Sequence, residues 1–133
     1  MKSLFIGSNK LVLNNSYSRK DVGYGNTQLA FMQINEHERI GFFNLGGEYD
    51  NRLTKKGFIL NPRADLNNDR LIAELNNCTT YLFLREGKKG LYYFIGTSKK
   101  AKRCDDTHLL LDLKLAGISG DIVKKLGGFN QLP

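Results

Sequence analysis

The chain has 133 residues, 41% of them hydrophobic and 25% charged, enough apolar chain to bury a core in one domain spanning residues 1–133 and too apolar for a disordered polyelectrolyte. No apolar run approaches the length of a membrane-spanning helix, and the opening MKSLFIGSNK lacks the apolar stretch and cleavage site of a secretory signal, so a cytoplasmic location and no membrane partner are expected. Twenty basic against 13 acidic residues give a formal net charge of +7, the sign that seeks a polyanion: nucleic acid first, an acidic protein or surface second.

In chain order, the apolar runs Leu4-Phe5-Ile6 and Leu11-Val12-Leu13 are broken by Asn14-Asn15, a strand followed by a turn. Residues 16–22 predict a short helical turn capped by Ser16 or Ser18 and ended by Gly23 and Gly25. Residues 28–35 and 39–45 predict two strands around the turn Glu36-His37-Glu38. Residues 44–56 form a polar loop with Gly46-Gly47, and Phe58-Ile59-Leu60 is a short strand stopped by Asn61-Pro62. Residues 67–76 carry the stripe Leu71, Ile72 and Leu75 between capping asparagines, which predicts a helix.

The stretch 79–103 organises the chain. Tyr81, Phe83 and Arg85 alternate with Leu82 and Leu84; after the turn EGKKG, Leu91, Tyr93 and Ile95 alternate with Tyr92 and Phe94. Period-two alternation of aromatic and branched residues is the pattern of a two-faced β-hairpin. It empties into a basic loop after Gly96. Beyond it, residues 107–115 read as a buried strand with Asp112 and Lys114 at its wetter end. Ser119 caps a helix over 120–126, with Lys124 and Lys125 in its last turn and Gly127-Gly128 as its stop. Six or seven strands and two or three short helices predict an α+β domain: a strongly curved β-sheet or open barrel with peripheral helices.

Charge clusters where the hairpin ends. From Arg85 to Arg103 seven basic residues stand against the single acid Glu86. Lys99, Lys100, Lys102 and Arg103 are therefore the main candidates for phosphate contact, with Arg19, Lys20, Lys55 and Lys56 as secondary ones. Basic residues interleaved with rings suit nucleic acid, since charge holds phosphate and rings stack on bases. A strand aromatic more often packs into the core, so Tyr17, Tyr24 and Tyr49, in predicted loops, are better placed for a ligand.

Three catalytic patterns compete with binding. A metal-dependent nuclease of the PD-(D/E)xK type needs carboxylates and a lysine around a divalent ion. Asp112-Leu113-Lys114 and Glu86-Gly87-Lys88 have that spacing, with Asp105, Asp106 and Asp65 upstream, although the exposed end of a strand gives the same spacing. Thr80-Tyr81, Tyr93-Phe94-Ile95-Gly96 and Arg103 resemble a degraded GIY-YIG nuclease pattern that lacks the leading glycine. Cys104, beside Lys102-Arg103, would have a lowered pKa, and it or Cys78 would need His37 or His108 to act as a nucleophile. Two cysteines and two histidines fit no zinc spacing, and the thiols are expected to be reduced. No metal or other cofactor is expected.

The order of the segments Asn15-Ser-Tyr17-Ser-Arg19-Lys20-Asp21-Val22, Ile40-Gly41-Phe42-Phe43, Asn68-Asp-Arg70-Leu-Ile-Ala-Glu-Leu75, Tyr81-Leu-Phe83-Leu-Arg85 and Tyr92-Tyr-Phe94-Ile-Gly96 resembles SRA-like modules attached to HNH restriction endonucleases and helicase–nuclease defence proteins. The resemblance spans residues 15–97 and leaves the strand and helix of 107–127 outside it. It implies a PUA-like β-barrel that binds double-stranded DNA in a restriction or defence setting, beside a nuclease or helicase partner. It also implies recognition of a modified or flipped base. Gly47-Glu48-Tyr49-Asp50 stands nearest the family's pocket segment, which makes Tyr49 and Asp50 the base-pocket candidates. The alternatives are a small divalent-metal nuclease and a basic protein-interaction or inhibitor module; a binding module without catalysis is the expectation.

Overall fold

The structure, a computed structural model, describes residues 11–22, 31–63 and 70–130. The predicted run Leu4-Phe5-Ile6, Tyr24 and the opening of the predicted helix at 67–69 lie outside the described residues. Nine strands and two α-helices are described: β1 (Ser16–Tyr17), β2 (Phe31–Asn35), β3 (Glu38–Leu45), β4 (Arg52–Thr54), β5 (Gly57–Leu60), α1 (Arg70–Asn76), β6 (Thr79–Glu86), β7 (Tyr92–Ser98), β8 (Ala101–Arg103), β9 (Leu109–Leu111) and α2 (Gly120–Lys125). They form an α+β arrangement of a mixed sheet, ordered β1-β7-β6-β3-β2, and an antiparallel sheet, ordered β4-β5-β9-β8. The described strands do not close into a barrel. No helix among the described residues is long and apolar enough to cross a membrane.

The predicted hairpin is β6 and β7, but neither of its faces is wet. β3 and β6 run parallel at the centre of the mixed sheet, from the Glu38/Thr79 pair to the Leu45/Glu86 pair. A parallel pair needs a crossover, and cover on both faces follows from it. On one face Phe43, Leu45, Leu82, Leu84 and Ile95 pack against Leu53, Phe58, Leu60, Leu109 and Leu111 of the second sheet and Leu75, Ile122 and Leu126 of the helices. On the other face Ile40, Phe42, Tyr81, Phe83, Tyr92 and Phe94 form an aromatic layer closed by Val22, with Leu11, Leu13 and Tyr17 against it. Phe42 and Phe83 stack at 4.9 Å, and Phe83 and Phe94 lie 5.1 Å apart. Tyr17 meets the edge of Phe83 at 5.8 Å, and its hydroxyl accepts from the Val12 N–H. Tyr17 is thus a cover for the core and not a loop ring free for ligand.

Local chemistry explains the element ends. Ser18 and Asp21 bond reciprocally, Asp21 N–H to Ser18 Oγ at 3.0 Å and Ser18 N–H to Asp21 Oδ2 at 2.8 Å, a capping box in miniature. They hold a 3-10 turn over Lys20–Val22, so the helical turn expected over 16–22 occupies only its second half and Ser16–Tyr17 is strand. Ser119 caps α2 as expected, its Oγ accepting from the Ile122 N–H. The buried strand expected over 107–115 is shorter, Leu109–Leu111, and Leu115–Gly117 is a 3-10 turn. The loop expected over 44–56 contains β4, and the loop expected at 99–103 contains β8. Both are three-residue strands, recognisable only through their pairing with β5 and β9.

Candidate functional site

β3 and β6 end side by side at Leu45 and Glu86, and the chains that leave them diverge. The space between is a cleft of about 920 Å³. A crevice beyond the carboxyl ends of parallel strands is where open sheets offer room to a ligand. Arg19, Asn44, Tyr49, Asn61, Arg63 and Lys88 line it, with Phe42 and Tyr92 of the aromatic layer at its floor. Arg19 comes from the turn after β1, Asn44 and Tyr49 from the end of β3 and its loop, Asn61 and Arg63 from the exit of β5, and Lys88 from the hairpin turn.

Tyr49 is held from several sides. Gly46 and Gly47 both adopt φ of +73°, a left-handed conformation that glycine accepts without penalty. The Gly46 N–H bonds the Asn51 carbonyl at 2.9 Å and the Asp50 N–H bonds the Gly47 carbonyl at 3.2 Å, which closes the loop. The Arg63 guanidinium lies over the Tyr49 ring at 4.5 Å, a cation–π contact. His108, buried on the second sheet, bonds the Tyr49 carbonyl from below at 3.1 Å.

Asp50 takes a different role. Its carboxylate binds Arg52 through two bonds, 2.8 Å from Nε and 2.5 Å from Nη2, and this pairing holds its pKa below the usual carboxylate value. Tyr49 therefore faces the cleft, whereas Asp50 braces the loop that carries it. At the floor, Arg85 donates from Nε to Asn44 Oδ1 at 2.6 Å and from Nη1 to the Gly90 carbonyl at 3.0 Å. Its guanidinium lies 4.3 Å from the Tyr92 ring, and Arg19 lies over Phe42 and Tyr92 at 5.0 and 5.6 Å.

The predicted basic residues are separated by the fold. In the second sheet β5 pairs with β9 from Phe58/Leu111 to Leu60/Leu109, and β8 pairs with β9 from Ala101/Leu111 to Arg103/Leu109. Lys55 and Lys56, in the β4–β5 turn, thus fall at the same end of that sheet as Lys99 and Lys100. All four are exposed. Arg103 falls at the opposite end, the end that carries His108 and meets Tyr49, and it pairs with Asp106 at 3.0 Å. Lys102 lies exposed between them, and Lys20 is exposed beside Arg19. Of the eight predicted phosphate contacts only Arg19 lines the cleft. Arg63, Asn44 and Asn61 were not among the sequence candidates because they come from segments far apart in the chain, with the Asn61-Pro62 strand stop the one local signal near them; Lys88 stood out in sequence only as part of the basic hairpin turn and of the Glu86-Gly87-Lys88 pattern.

The residues of the catalytic patterns have other engagements. Asp112 Oδ1 accepts from Ser98 Oγ, Lys99 N–H and Lys100 N–H at 3.0, 3.3 and 3.0 Å, so it braces the turn that presents the two lysines. No group of three or more His, Cys, Asp or Glu side chains among the described residues is assembled to hold a metal ion. Tyr81 bonds Glu38 through its hydroxyl within the aromatic layer, while Tyr93 packs on the opposite face and Arg103 sits on the other sheet. The expected lowering of the Cys104 pKa is reversed: burial, aided by Asp105, raises it against the pull of Lys102. Both cysteines are free thiols.

Compared with known proteins, the chain matches no protein-family model and no curated sequence.

Proposed function

We propose that this domain binds nucleic acid, with double-stranded DNA as its target. The cleft takes a base and the exposed lysines take phosphate. The observation that carries this reading is the convergence of Tyr49, Arg19, Arg63 and Lys88 on one cleft. Rings and guanidinium planes stack on bases, and the same cations hold the backbone beside them. Lys99, Lys100, Lys55 and Lys56 take phosphate separately, at the end of the second sheet away from Tyr49.

The SRA-like reading rests on the order of sequence landmarks, and it makes the base in the cleft a modified or flipped one. Unstacking a base costs a few kcal/mol, which the cleft would offset through Tyr49 and the guanidinium above it. In this reading the domain serves a nuclease or helicase partner in restriction or defence, within a PUA-like architecture.

The test is duplex binding measured across a salt series. The expected result is binding at low salt whose logarithm falls linearly with the logarithm of salt concentration, as counterions are released from each neutralised phosphate. Absent affinity at low salt, or affinity indifferent to salt, overturns the proposal.

A further inference from the structure

We infer that Arg63 presents the plane on which a base stacks in the cleft, with Tyr49 behind it as a positioning residue. The inference deepens the nucleic-acid reading above and rests on it.

The geometry of one pair carries the argument. The Arg63 guanidinium lies over the Tyr49 ring at 4.5 Å, contact distance for a cation on an aromatic face. No layer is left between them for a base. Tyr49 is half-buried and Arg63 is exposed, so the guanidinium is the outward plane of the pair. Both residues line the cleft. A guanidinium is planar, delocalised and weakly hydrated, and it stacks on flat rings. A base laid on its outer face completes three layers: ring, guanidinium, base.

The loop fixes Arg63 from the backbone. The Arg63 N–H donates to Asn61 Oδ1 at 2.9 Å. The Asn61 N–H donates to Asn51 Oδ1 at 2.8 Å, and Asn51 Nδ2 donates to the Asn44 carbonyl at 3.1 Å. These bonds run from the end of β3 to the residue that carries the guanidinium. Arg63 has φ of +55°, a left-handed conformation that is unfavourable for a residue with a side chain. Such a conformation persists where its surroundings over-determine it, and it concentrates at ligand clamps.

Other arginines have their donors engaged. Arg39, Arg52, Arg70 and Arg103 each pair with a carboxylate, and Arg85 donates to Asn44 and to the Gly90 carbonyl. The Arg63 guanidinium has no hydrogen-bond or ion-pair partner among the described residues, Glu48 of the same cleft included. Its edge therefore stays available to a phosphate oxygen while its face takes the base.

Arg63→Lys keeps the charge and removes the plane, and the substituted side chain is exposed, so the fold is spared. The probes are a single-stranded thymidine homopolymer and an abasic strand of the same length, each titrated against the full chain at low salt. Arg63→Lys is expected to weaken the base-bearing strand by about fivefold or more, the lower end for one stacked base, and to leave the abasic strand within about twofold. Tyr49→Phe, which keeps the supporting ring, should bind the base-bearing strand as the unmodified chain does. Tyr49→Ala and Arg63→Lys combined should lose less than the two separate losses added, because both act on one stack. Equal weakening of both strands would make Arg63 a phosphate contact only. Unchanged binding of both would place the base on another surface, and tighter binding would make Arg63 a competitor for the Tyr49 ring. Each of these overturns the inference and leaves nucleic-acid binding standing. Failure of the strands and of duplex to bind at low salt overturns the binding reading together with it.

Discussion

His108 Nε2 lies 3.1 Å from the Tyr49 carbonyl oxygen. That carbonyl can only accept, so the ring carries a proton on Nε2. Its Nδ1 faces Asp105 Oδ1 at 3.0 Å and Thr107 Oγ1 at 2.8 Å. One imidazole thereby ties the rim of the cleft to the β8–β9 connection. His108→Ala should cost about 1–3 kcal/mol by leaving the Tyr49 carbonyl and the Asp105 carboxylate without this partner. Urea unfolding measures the loss, and faster amide exchange at residues 48–51 would locate it in the rim.

Asp105 makes the same junction acid-sensitive. Burial opposes its charged form, but the Thr107 and His108 N–H groups, the His108 ring and the Thr107 hydroxyl outweigh burial and bring its pKa down to about 2. A carboxyl depressed in the folded state contributes stability above its unfolded value and loses that contribution as pH falls through the folded one. The stabilisation should therefore be complete above about pH 4 and disappear towards about pH 2. Asp105→Asn is expected to lower stability at neutral pH and to flatten the stability profile across that window. An unchanged profile would show that the carboxylate does not carry the acid response.

Asp112 separates a structural carboxylate from a catalytic one. Its Oδ1 gathers Ser98 Oγ and the N–H groups of Lys99 and Lys100. Asp112→Ala should loosen this turn, lower stability by about 1–2 kcal/mol and weaken DNA binding by releasing the two lysines from a fixed position. Asp112→Asn, which keeps the oxygen, should retain most of both. Magnesium-dependent cleavage by the unmodified chain that vanishes in Asp112→Ala would instead assign the carboxylate to chemistry.

Asn76 protects an edge. Its Oδ1 accepts from the Ala101 N–H at 3.0 Å and its Nδ2 donates to the Ala101 carbonyl at 2.9 Å. The amide takes the place of a strand against the outer side of β8, the edge of the second sheet. Open edges pair with other chains. Asn76→Ala should cost about 1–2 kcal/mol and raise the tendency to associate, read by size-exclusion chromatography at increasing concentration.

These groupings were unequally legible in the sequence. Residues 79–98 announced a hairpin because aromatic and branched residues alternate there over a long run. The alternation could not say that both faces are covered, since that follows from the parallel neighbour β3, far away in the chain. β4 and β8 were hidden because Arg52, Lys102 and Arg103 are polar residues in strands of three, held by pairing to β5 and β9. Tyr49 was legible as a ring in a glycine-flanked loop. Arg63, and the place of Lys88 beside Tyr49, were not, because the cleft exists only once the ends of β3, β5 and β6 meet. The two lysine pairs look unrelated in sequence, and the register of the second sheet brings them to one end.

That division predicts two separable contributions to binding. Tyr49 offers a ring beneath a guanidinium, so Tyr49→Ala should weaken single-stranded DNA binding by about 1–3 kcal/mol, the range for one stacked base. Stacking releases no counterions, so the slope of affinity against salt should stay the same. Lys99→Ala and Lys100→Ala should each reduce that slope by about one, as one phosphate contact is lost, and weaken all sequences alike. Lys55→Ala and Lys56→Ala should follow the same rule, since their turn lies at the same end of the second sheet. Were Tyr49→Ala to lower the slope as the lysine substitutions do, the loop would be holding phosphate and not a base. Were the lysine substitutions to leave the slope untouched, their end of the sheet would lie outside the contact, and the cleft cations Arg19, Arg63 and Lys88 would carry the electrostatic part.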